Sequence, residues 1–595
     1  WQHIQEQLCA DAVDLVLISP ERLANDNFLE DTLLPIAGRV GLFVVDEAHC
    51  ISDWGHDFRP DYRRITRILQ LLPANIPLLA TTATANDRVV RDVLTTLGSK
   101  VELVRGPLAR ESLRLQTICL PNPAQRLAWL AEQVPQLPGS GIIYTLTIRD
   151  AQRVAAWLQS CGIDAQAYWG SRLTEEREAL EEQLLDNRVK TLVATTALGM
   201  GFDKPDLGFV IHFQRPGSVV HYYQQVGRAG RAMKDAYGIL LHGREDSEIL
   251  EYFMRTAFPP QRHIDSVLQA VGRSADGLSL PQLEREVNLA RGQIEHVLTN
   301  LSVQFPAPIS KQGNRWYRNP VPYTPDPETI RRLTYVRRRE QARMTAYLQS
   351  RECLMQFLAA ELDDPHPRPC GRCASCVGAP LLPETAPADL VKQAIDFLQD
   401  NDQPLLPRRI WPVGGLPIHA WQGTISPALR VEPGRTLCVW GDDGWGDSVR
   451  RGKTLDNRFD DALVTAAAAL IQQRWHPNPP PLWVTAVPSL NHPELVPDFA
   501  RRLAAVLRLP FRPCIRKVRQ TRPQKEMENS YLQATNLDGA FQVLRFRGIE
   551  QPVLLVDDMV DSGWTFTVVG ALLREAGSGQ VHPLALASTS KNMGA

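Results

Sequence analysis

Short apolar runs that alternate with helical stretches are the feature that most restricts the fold of this chain. The first runs occupy residues 13–19, 41–45 and 77–83, and similar runs resume further along the sequence. A strand buried on both faces is apolar along its whole length, so strands of this kind separated by helices predict parallel sheets. We therefore expect two consecutive α/β lobes, over residues 1–115 and 116–257.

The hydrophobic period changes after the second predicted lobe. Residues 258–326 contain three helix-period segments and a predicted short hairpin, which favours a winged helix over the alternative of a helical spacer. A long Arg-rich helix is predicted over residues 327–361, within a module that spans residues 327–380. Prolines predict a linker at 381–420, interrupted by one helix, and returning strands predict a third α/β unit over 421–595.

Composition limits the class of protein. Lys plus Arg (65) nearly balance Asp plus Glu (66), so any nucleic-acid surface has to be local. The sequence has no uncharged apolar run of about 18 residues and no apolar signal core behind a charged N-terminus. Four of the 10 cysteines cluster. We therefore expect a cytoplasmic protein with no membrane partner and one metal site.

Two adjacent carboxylates, Asp46 and Glu47, follow the predicted strand at 41–45. Parallel sheets bind ligands at the C-terminal ends of their strands. One carboxylate there can hold Mg²⁺ while the other orients water for attack on a terminal phosphate. By itself the tetrapeptide DEAH is a weak signal, because acidic residues are also common in the first turn of ordinary helices.

Other motifs in the expected order make this signal specific. They are PERL at 20–23, an aromatic-rich stretch at 50–65, TTATA at 81–85, ALGMGFDKPD at 197–206 and QQVGRAGR at 224–231. Together they resemble the RecQ family of superfamily two helicases, from residue 1 to about residue 245. The resemblance implies two RecA-like lobes and ATP-driven 3′ to 5′ unwinding of DNA in repair or recombination. Its implied partners are single-stranded DNA and duplex junctions, in the cytoplasm at the bacterial nucleoid.

The resemblance also assigns roles to individual residues. The expected catalytic residues, with Mg²⁺ and ATP, are Asp46, Glu47, His49, Gln224, Arg228 and Arg231. Residues expected to couple the two lobes are Thr81, Thr82, Thr84 and Asp203. A guanidinium from the second lobe can stabilise charge on the transferring phosphoryl group once the lobes close, and we expect Arg231 to be that group.

The aromatic-rich stretch is expected to contact single-stranded DNA. Aromatic rings stack on unpaired bases whatever the base sequence, and Arg holds phosphate. The expected DNA-binding residues are Trp54, His56, Phe58 and Arg59. The alternative is that the aromatic residues belong to the core of the first lobe.

A phosphate-binding loop of the form G-x-x-x-x-G-K-[S/T] is expected upstream of the acidic pair. Residues 1–45 do not contain it, and the similar segment GDSVRRGKT at 446–454 has five residues between its glycines. We expect that segment not to bind ATP. Either the sequence is an N-terminally incomplete helicase, or it is a DNA-binding scaffold with an inactive motor. As written, the chain is expected to hydrolyse ATP poorly.

Four cysteines have the spacing of a structural zinc site. Cys353 is followed, after sixteen residues, by three cysteines at two-residue gaps: Cys370, Cys373 and Cys376. Four thiolates complete a tetrahedral zinc shell and leave no open catalytic position. The cluster resembles the RecQ zinc module, except that the candidate winged helix precedes it here. Residues Arg331, Arg332, Arg337, Arg338, Arg339 and Arg343 of the predicted arm either contact duplex phosphates or form a solvated face.

A second acidic pair, Asp557 and Asp558, ends an apolar run near the C-terminus. The loop behind it, which leads into a predicted helix, contains Asp561, Ser562, Gly563 and Thr565. Helix N-terminal amides bind phosphate, and carboxylates can hold ribose hydroxyls. The segment resembles the 5-phosphoribosyl-1-pyrophosphate motif of phosphoribosyltransferases, in their ComF-like branch. The open alternatives are transfer, ligand binding without transfer, a transferase delivered to DNA, and an ordinary strand turn.

Overall fold

The computed structural model divides the chain into two compact units, residues 1–258 with 325–391, and residues 259–324 with 392–595. The residues that it describes are 2–19, 22–23, 28–51, 65, 68–69, 73, 76–97, 101–199, 202–302, 304, 306–400, 402–412, 414–442 and 444–589. Among these residues no helix is long and apolar enough to cross a membrane.

The first lobe contains two short parallel strands, β1 (Phe43–Val45) and β2 (Leu78–Ala80). Its α-helices are Gln2–Cys9, Leu34–Ile36 and Asp87–Leu97. The strand predicted at 13–19 is wrong: this segment forms no strand within the described part of the chain, and Leu17 is 90% exposed. Apolar residues form a strand only where a neighbour accepts and donates its backbone hydrogen bonds.

The second lobe is built on a six-stranded parallel sheet with the order β3-β8-β7-β4-β6-β5. Its strands are β3 (Leu113–Cys119), β4 (Ser140–Tyr144), β5 (Ala165–Tyr168), β6 (Thr191–Ala194), β7 (Leu207–His212) and β8 (Ala236–His242). Its helices are Pro123–Gln133, Ile148–Ser160, Thr174–Leu185, Val219–Val226 and Asp246–Thr256. Every residue of β4, β6 and β7 is buried, as predicted for a sheet covered on both faces. The lobe begins slightly before residue 116, because Leu113 already pairs with β8.

The Arg-rich arm consists of two helices, Pro327–Gln349 and Leu354–Glu361, so the single helix predicted over 327–361 is wrong. Residues 350–353 separate the two helices, and Cys353 caps the second helix by accepting the amide of Gln356 on its sulfur. A third short helix, Ala374–Val377, follows.

In the second unit, residues 259–324 form three helices and a small antiparallel sheet. The helices are Gln261–Arg273, Leu280–Glu286 and Arg291–Ser302. The strands are β9 (Leu278–Ser279), β10 (Ile309–Gln312) and β11 (Arg315–Arg318). The predicted helices and hairpin are present, and β9 adds a third strand beside β11, which gives the element order of a winged helix.

The remainder of the second unit contains a five-stranded sheet with the order β12-β13-β18-β17-β14. Its strands are β12 (Gln403–Leu405), β13 (Gly434–Val439), β14 (Trp483–Ala486), β17 (Val553–Val560) and β18 (Val581–Ser588). Two further strands, β15 (Ile515–Lys517) and β16 (Phe541–Val543), pair separately. The α-helices are Ala388–Gln399, Gly446–Arg451, Asp461–Ala469, Leu495–Leu507, Ser530–Thr535 and Trp564–Glu575.

The linker predicted at 381–420 is wrong for most of its length. β12 pairs with β13 as the edge strand of the five-stranded sheet, and the rings of Trp411 and Trp421 stack 4.7 Å apart in the core. Prolines indicated irregular backbone correctly, but large aromatic residues between them are buried, and burial makes the segment part of the domain.

Candidate functional site

The first acidic pair forms a tight turn directly after β1. Asp46 Oδ1 accepts the amide of Glu47 at 2.9 Å and the hydroxyl of Thr81 at 2.7 Å. Glu47 has a left-handed backbone with φ of 50°, a conformation that costs energy for a residue other than glycine and is common at functional sites. Because β2 runs parallel to β1, the threonine motif that follows β2 begins beside the acidic pair that follows β1.

His49 is fully buried beneath this turn. Its Nδ1 lies 3.1 Å from Glu47 Oε2 and 3.1 Å from Thr82 Oγ1. The imidazole therefore joins an acidic residue of one motif to a threonine of the next. The structure thus brings side chains of the two motifs within hydrogen-bonding distance of each other.

A side-chain hydrogen bond connects the two lobes at the same motif. Thr84 accepts the amide of Gln224 on Oγ1 at 2.7 Å, and the backbone amide of Thr84 points to Thr82 Oγ1 at 3.3 Å. Gln224 lies on helix Val219–Val226, which Ser218 caps by accepting the amide of His221.

The two predicted arginines lie on the second lobe with partners of their own. Arg228 donates to the carbonyl of Phe202 at 2.7 Å. Arg231 pairs with Asp203 at 2.6 Å, with the two side chains 40% and 57% exposed. The structure thus brings Arg231 to Asp203 rather than to Asp46 or Glu47. The predicted DNA-binding residues Trp54, His56, Phe58 and Arg59 lie outside the described residues.

Sequence reasoning missed a column of stacked and tilted rings that begins in the core of the second lobe and ends at the half-buried Phe357. Neighbouring rings lie 4.8 to 5.4 Å apart along the series Tyr144, His212, Tyr222, Tyr347 and Phe357. The first three belong to the second lobe and the last two to the Arg-rich arm, so the column joins the core of the lobe to the arm. No local sequence pattern indicated it, because the rings come from two strands and three helices that are spread along the sequence.

The four predicted metal ligands converge at the end of the arm. The Sγ atoms of Cys353, Cys370, Cys373 and Cys376 all lie within 4.8 Å of one another. Tetrahedral zinc with bonds of about 2.3 Å separates its sulfurs by roughly 3.8 Å, so the cluster fits zinc. When bound, zinc would crosslink the loop to the arm helix as a structural ion.

Backbone amides around the cluster favour thiolates. Cys353 Sγ accepts the amide of Cys370 at 3.1 Å, and Cys373 Sγ accepts that of Leu354 at 3.4 Å. A hydrogen bond from the Cys370 thiol and the backbone amides of Leu354 and Cys376 lower the pKa of Cys373, while the same thiol–thiol hydrogen bond raises the pKa of Cys370. A low thiol pKa is what a metal-binding cysteine requires.

All six arginines of the predicted cationic set are exposed, but two of them contact neighbouring side chains. Arg343 pairs with Glu361, and the guanidinium of Arg337 lies 5.3 Å from the ring centroid of Phe258. Partial desolvation lowers the pKa of Arg337, although its side chain stays exposed. Arg338 and Arg339 remain candidates for phosphate contacts.

The second acidic pair lies inside β17, which continues through it to Val560 because β18 offers a pairing partner. Asp557 is buried, and this burial, together with the charge of Asp558, raises its pKa. Lys453 reaches Asp558 with a 2.8 Å ion pair. Lys453 belongs to the segment expected not to bind ATP, and the sequence did not associate it with this site.

The loop behind the pair is held by several side chains. Asp561 accepts the hydroxyl of Thr589 at 2.6 Å and the amide of Gln533 at 3.1 Å. Arg408 donates to the carbonyl of Ser562 at 2.8 Å. Gly563 has φ of 78° and precedes helix Trp564–Glu575, whose first turn contains Thr565. The loop conformation therefore leaves the N-terminus of this helix next to the acidic strand.

Family models match both lobes of the first unit. The model described as DEAD/DEAH box helicase matches residues 2–93, and the model described as helicase conserved C-terminal domain matches residues 126–233.

Several curated helicases are similar to this chain. "ATP-dependent DNA helicase RecQ" of Synechocystis sp. is 30% identical over 390 residues, which cover 62% of this chain and 78% of the relative. "RecQ-like DNA helicase blm-1" of Caenorhabditis elegans is 34% identical over 273 residues, 44% of this chain and 27% of the relative. "ATP-dependent DNA helicase RecQ" of Pasteurella multocida is 33% identical over 285 residues, and the chain spans 44% of its length.

Thr84 lies in the segment that the first family model matches, and Gln224 lies in the segment that the second matches. The hydrogen bond between them therefore joins the two matched segments. Since the chain covers more than two thirds of a RecQ relative at 30% identity, it belongs to the RecQ family of ATP-dependent DNA helicases.

Proposed function

We propose that this chain carries the motor of a DNA helicase that moves 3′ to 5′ and couples ATP hydrolysis to strand separation in repair or recombination. The observation that carries the proposal is the interlobe hydrogen bond between Gln224 and Thr84. It links the threonine motif of the first lobe to the motif QQVGRAGR of the second lobe, and motors of this class would hydrolyse nucleotide when their lobes close.

The roles in this proposal follow from the chemistry of the residues. The carboxylates of Asp46 and Glu47 fit Mg²⁺, which favours oxygen ligands and would neutralise phosphate charge when bound. The hydroxyl of Thr81 donates to Asp46 and supports its orientation, and Glu47 would orient water. Arg231 would exchange Asp203 for the γ-phosphate on closure, and the exposure of this ion pair makes the exchange inexpensive.

Unwinding by the full-length protein tests the proposal. We expect ATP-dependent separation of a duplex with a 3′ single-stranded tail and little separation of a duplex with a 5′ tail. Glu47→Gln should abolish unwinding while DNA binding remains, whereas Glu175→Gln, a change of an exposed helix residue, should behave as wild type. DNA binding without ATP-dependent unwinding would favour the scaffold alternative, and unwinding from a 5′ tail alone would contradict the proposed polarity.

DNA contacts are proposed on two surfaces. Single-stranded DNA would stack on the aromatic-rich stretch, and duplex phosphates would contact Arg338 and Arg339. If the double change of Arg338 and Arg339 to Glu leaves DNA affinity and its salt dependence unchanged, the second contact is wrong.

We further propose that the second unit binds a phosphoribosyl ligand such as 5-phosphoribosyl-1-pyrophosphate. The observation that favours it is the Lys453–Asp558 ion pair beside the loop at Ser562 and Gly563. Carboxylates there can hold ribose hydroxyls, the helix N-terminus can accept the 5′-phosphate, and the ammonium can meet the pyrophosphate.

Calorimetry of the full-length protein with 5-phosphoribosyl-1-pyrophosphate tests the ligand. Binding that is lost in Asp557→Asn supports the site. Release of pyrophosphate with an added base would favour transfer, and binding without turnover would favour a sensing role. Absence of binding by the wild type would contradict both versions.

A further inference from the structure

Two acidic residues at the end of arm helix Leu354–Glu361 contact the first lobe. Asp363 Oδ2 accepts the amide of Asp87 at 2.8 Å, and Asp364 Oδ2 accepts the amide of Leu108 at 3.2 Å. Asp363 has a left-handed backbone with φ of 55°, which turns the chain out of the helix toward these amides. The Arg-rich arm, together with the residues that directly follow its second helix, therefore contacts the first lobe as well as the second.

Arg105 completes this contact. One of its terminal nitrogens, Nη1, donates to Asp87 Oδ1 at 2.7 Å and to the carbonyl of Asp363 at 3.0 Å. The other, Nη2, donates to the carbonyl of Ala85 at 3.0 Å. A planar guanidinium with three acceptors fixes their relative positions better than a single point charge can. Since Ala85 follows Thr84, this arginine ties the threonine motif to the arm.

The arm also packs against the helix that carries Gln224, the donor of the interlobe hydrogen bond. The rings of Tyr347, in the arm, and Tyr222, on the helix of Gln224, lie 5.3 Å apart and are fully buried. The hydroxyl of Tyr223, also on this helix, donates to the carbonyl of Leu108 at 2.6 Å. The segment of Thr84 is thus connected to the arm through Arg105, and the helix of Gln224 is connected to it through Tyr222.

We propose that Asp363 and Arg105 are positioning residues that hold Thr84 opposite Gln224 when the lobes meet, so that the arm acts as an interlobe clamp. This inference rests on the proposed ATP-driven function. The contact is polar, and the side chains of Arg105 and Asp87 are 22% and 64% exposed. Such contacts add little to stability, which suits a connection that opens and closes in each cycle.

Kinetics of the full-length protein test the clamp. In Arg105→Ala and Asp363→Ala we expect the DNA-stimulated kcat for ATP to fall about tenfold, the size of one lost hydrogen bond, while KM stays within about twofold. The double variant should be no slower than the slower single variant, because both residues act through one contact. Asp363→Asn keeps an acceptor oxygen and tolerates the left-handed backbone, so it should retain most activity.

A matched control and a second measurement separate this role from plain destabilisation. Arg188→Ala removes another exposed ion pair of the same unit, with Asp186, and should leave kcat unchanged. The unfolding midpoints of Arg105→Ala and Asp363→Asn should match that of Arg188→Ala, whereas Asp363→Ala also strains the left-handed backbone and is not used for this comparison. Unchanged kcat in both alanine variants, or a lower midpoint of Arg105→Ala than of the control, would overturn the positioning role.

Amide hydrogen exchange tests the contact between the arm and the first lobe even if the protein does not hydrolyse ATP. We expect faster exchange of the amides of Asp87 and Leu108 in Arg105→Ala and Asp363→Ala than in Arg188→Ala. If the wild type hydrolyses no ATP, the proposed function fails, while altered exchange still supports the contact. If exchange is the same in all variants, the clamp is wrong whatever the ATPase activity.

Discussion

Gln224, on the second lobe, donates its side-chain amide to Oγ1 of Thr84, on the first lobe, across 2.7 Å. Thr84 is linked through Thr82 to the buried His49, which lies against Glu47. One path of short polar contacts therefore runs from the acidic pair across the lobe boundary. A change in the separation of the lobes is expected to reach the acidic pair through this path.

Removal of this hydrogen bond should slow hydrolysis without preventing nucleotide binding. In Gln224→Ala we expect the DNA-stimulated kcat of the full-length protein to fall about tenfold, because one neutral hydrogen bond formed on closure is lost. Steady-state ATPase assays measure it. Gln136→Ala, a change of an exposed glutamine of the second lobe, is the control, and equal kcat in the two variants would contradict the proposed coupling.

Loss of one zinc ligand should destabilise the first unit. Cys373 is fully buried in the same core as Tyr222 and Tyr347. We expect Cys373→Ser to lose zinc and lower the unfolding midpoint by roughly 5 to 10 °C, since metal binding contributes to folding. Zinc content and thermal unfolding measure these effects. Cys119→Ser changes an exposed cysteine and should keep both at wild-type values; retention of zinc by Cys373→Ser would refute the ligand assignment.

Acid should destabilise the second lobe through His212. Burial lowers the pKa of His212 to about 4, against about 6.5 in an unfolded chain. As the pH falls, the unfolded chain takes up the proton first. Stability is therefore lost between about pH 6.5 and pH 4, by up to roughly 3 kcal/mol. Unfolding midpoints of His212→Gln should depend less on pH in this range than those of the wild type and of His366→Gln. An identical pH dependence in all three proteins would be inconsistent with this origin.

Ligand binding by the second unit should depend on Lys453. We expect Lys453→Met to weaken the affinity for 5-phosphoribosyl-1-pyrophosphate by about tenfold or more, because a charge-assisted contact to the ligand is lost. Calorimetry measures it. Arg451→Met removes a nearby cation that pairs with Asp456 instead, and its affinity should equal that of the wild type. If both variants bind equally well, Lys453 does not contact the ligand.

Much of the second lobe could be predicted because its signals are local. The apolar runs at β4, β6 and β7 became fully buried parallel strands, as their composition indicated. The run at 13–19 has similar composition but no strand partner among the described residues. The difference depends on neighbours far away in sequence, which apolar periodicity does not report.

In the candidate sites, too, local features could be predicted from the sequence and contacts between distant residues could not. Cysteine spacing predicted the cluster at Cys353, because metal geometry restricts the spacing of its ligands. No sequence pattern indicated that Lys453 reaches Asp558, since more than a hundred residues separate them. None indicated that Asp363 meets Asp87 either.

By itself the sequence determined the α/β class, the order of the helicase motifs and the metal ligands, because strand burial, motif order and ligand spacing are local properties of the chain. Only the tertiary structure decided which motifs touch. It set Gln224 against Thr84, made the proline-rich stretch part of a core, and brought the arm to both lobes. Such contacts follow from packing between segments distant in sequence, where side-chain shape and hydrogen-bond geometry select the partner.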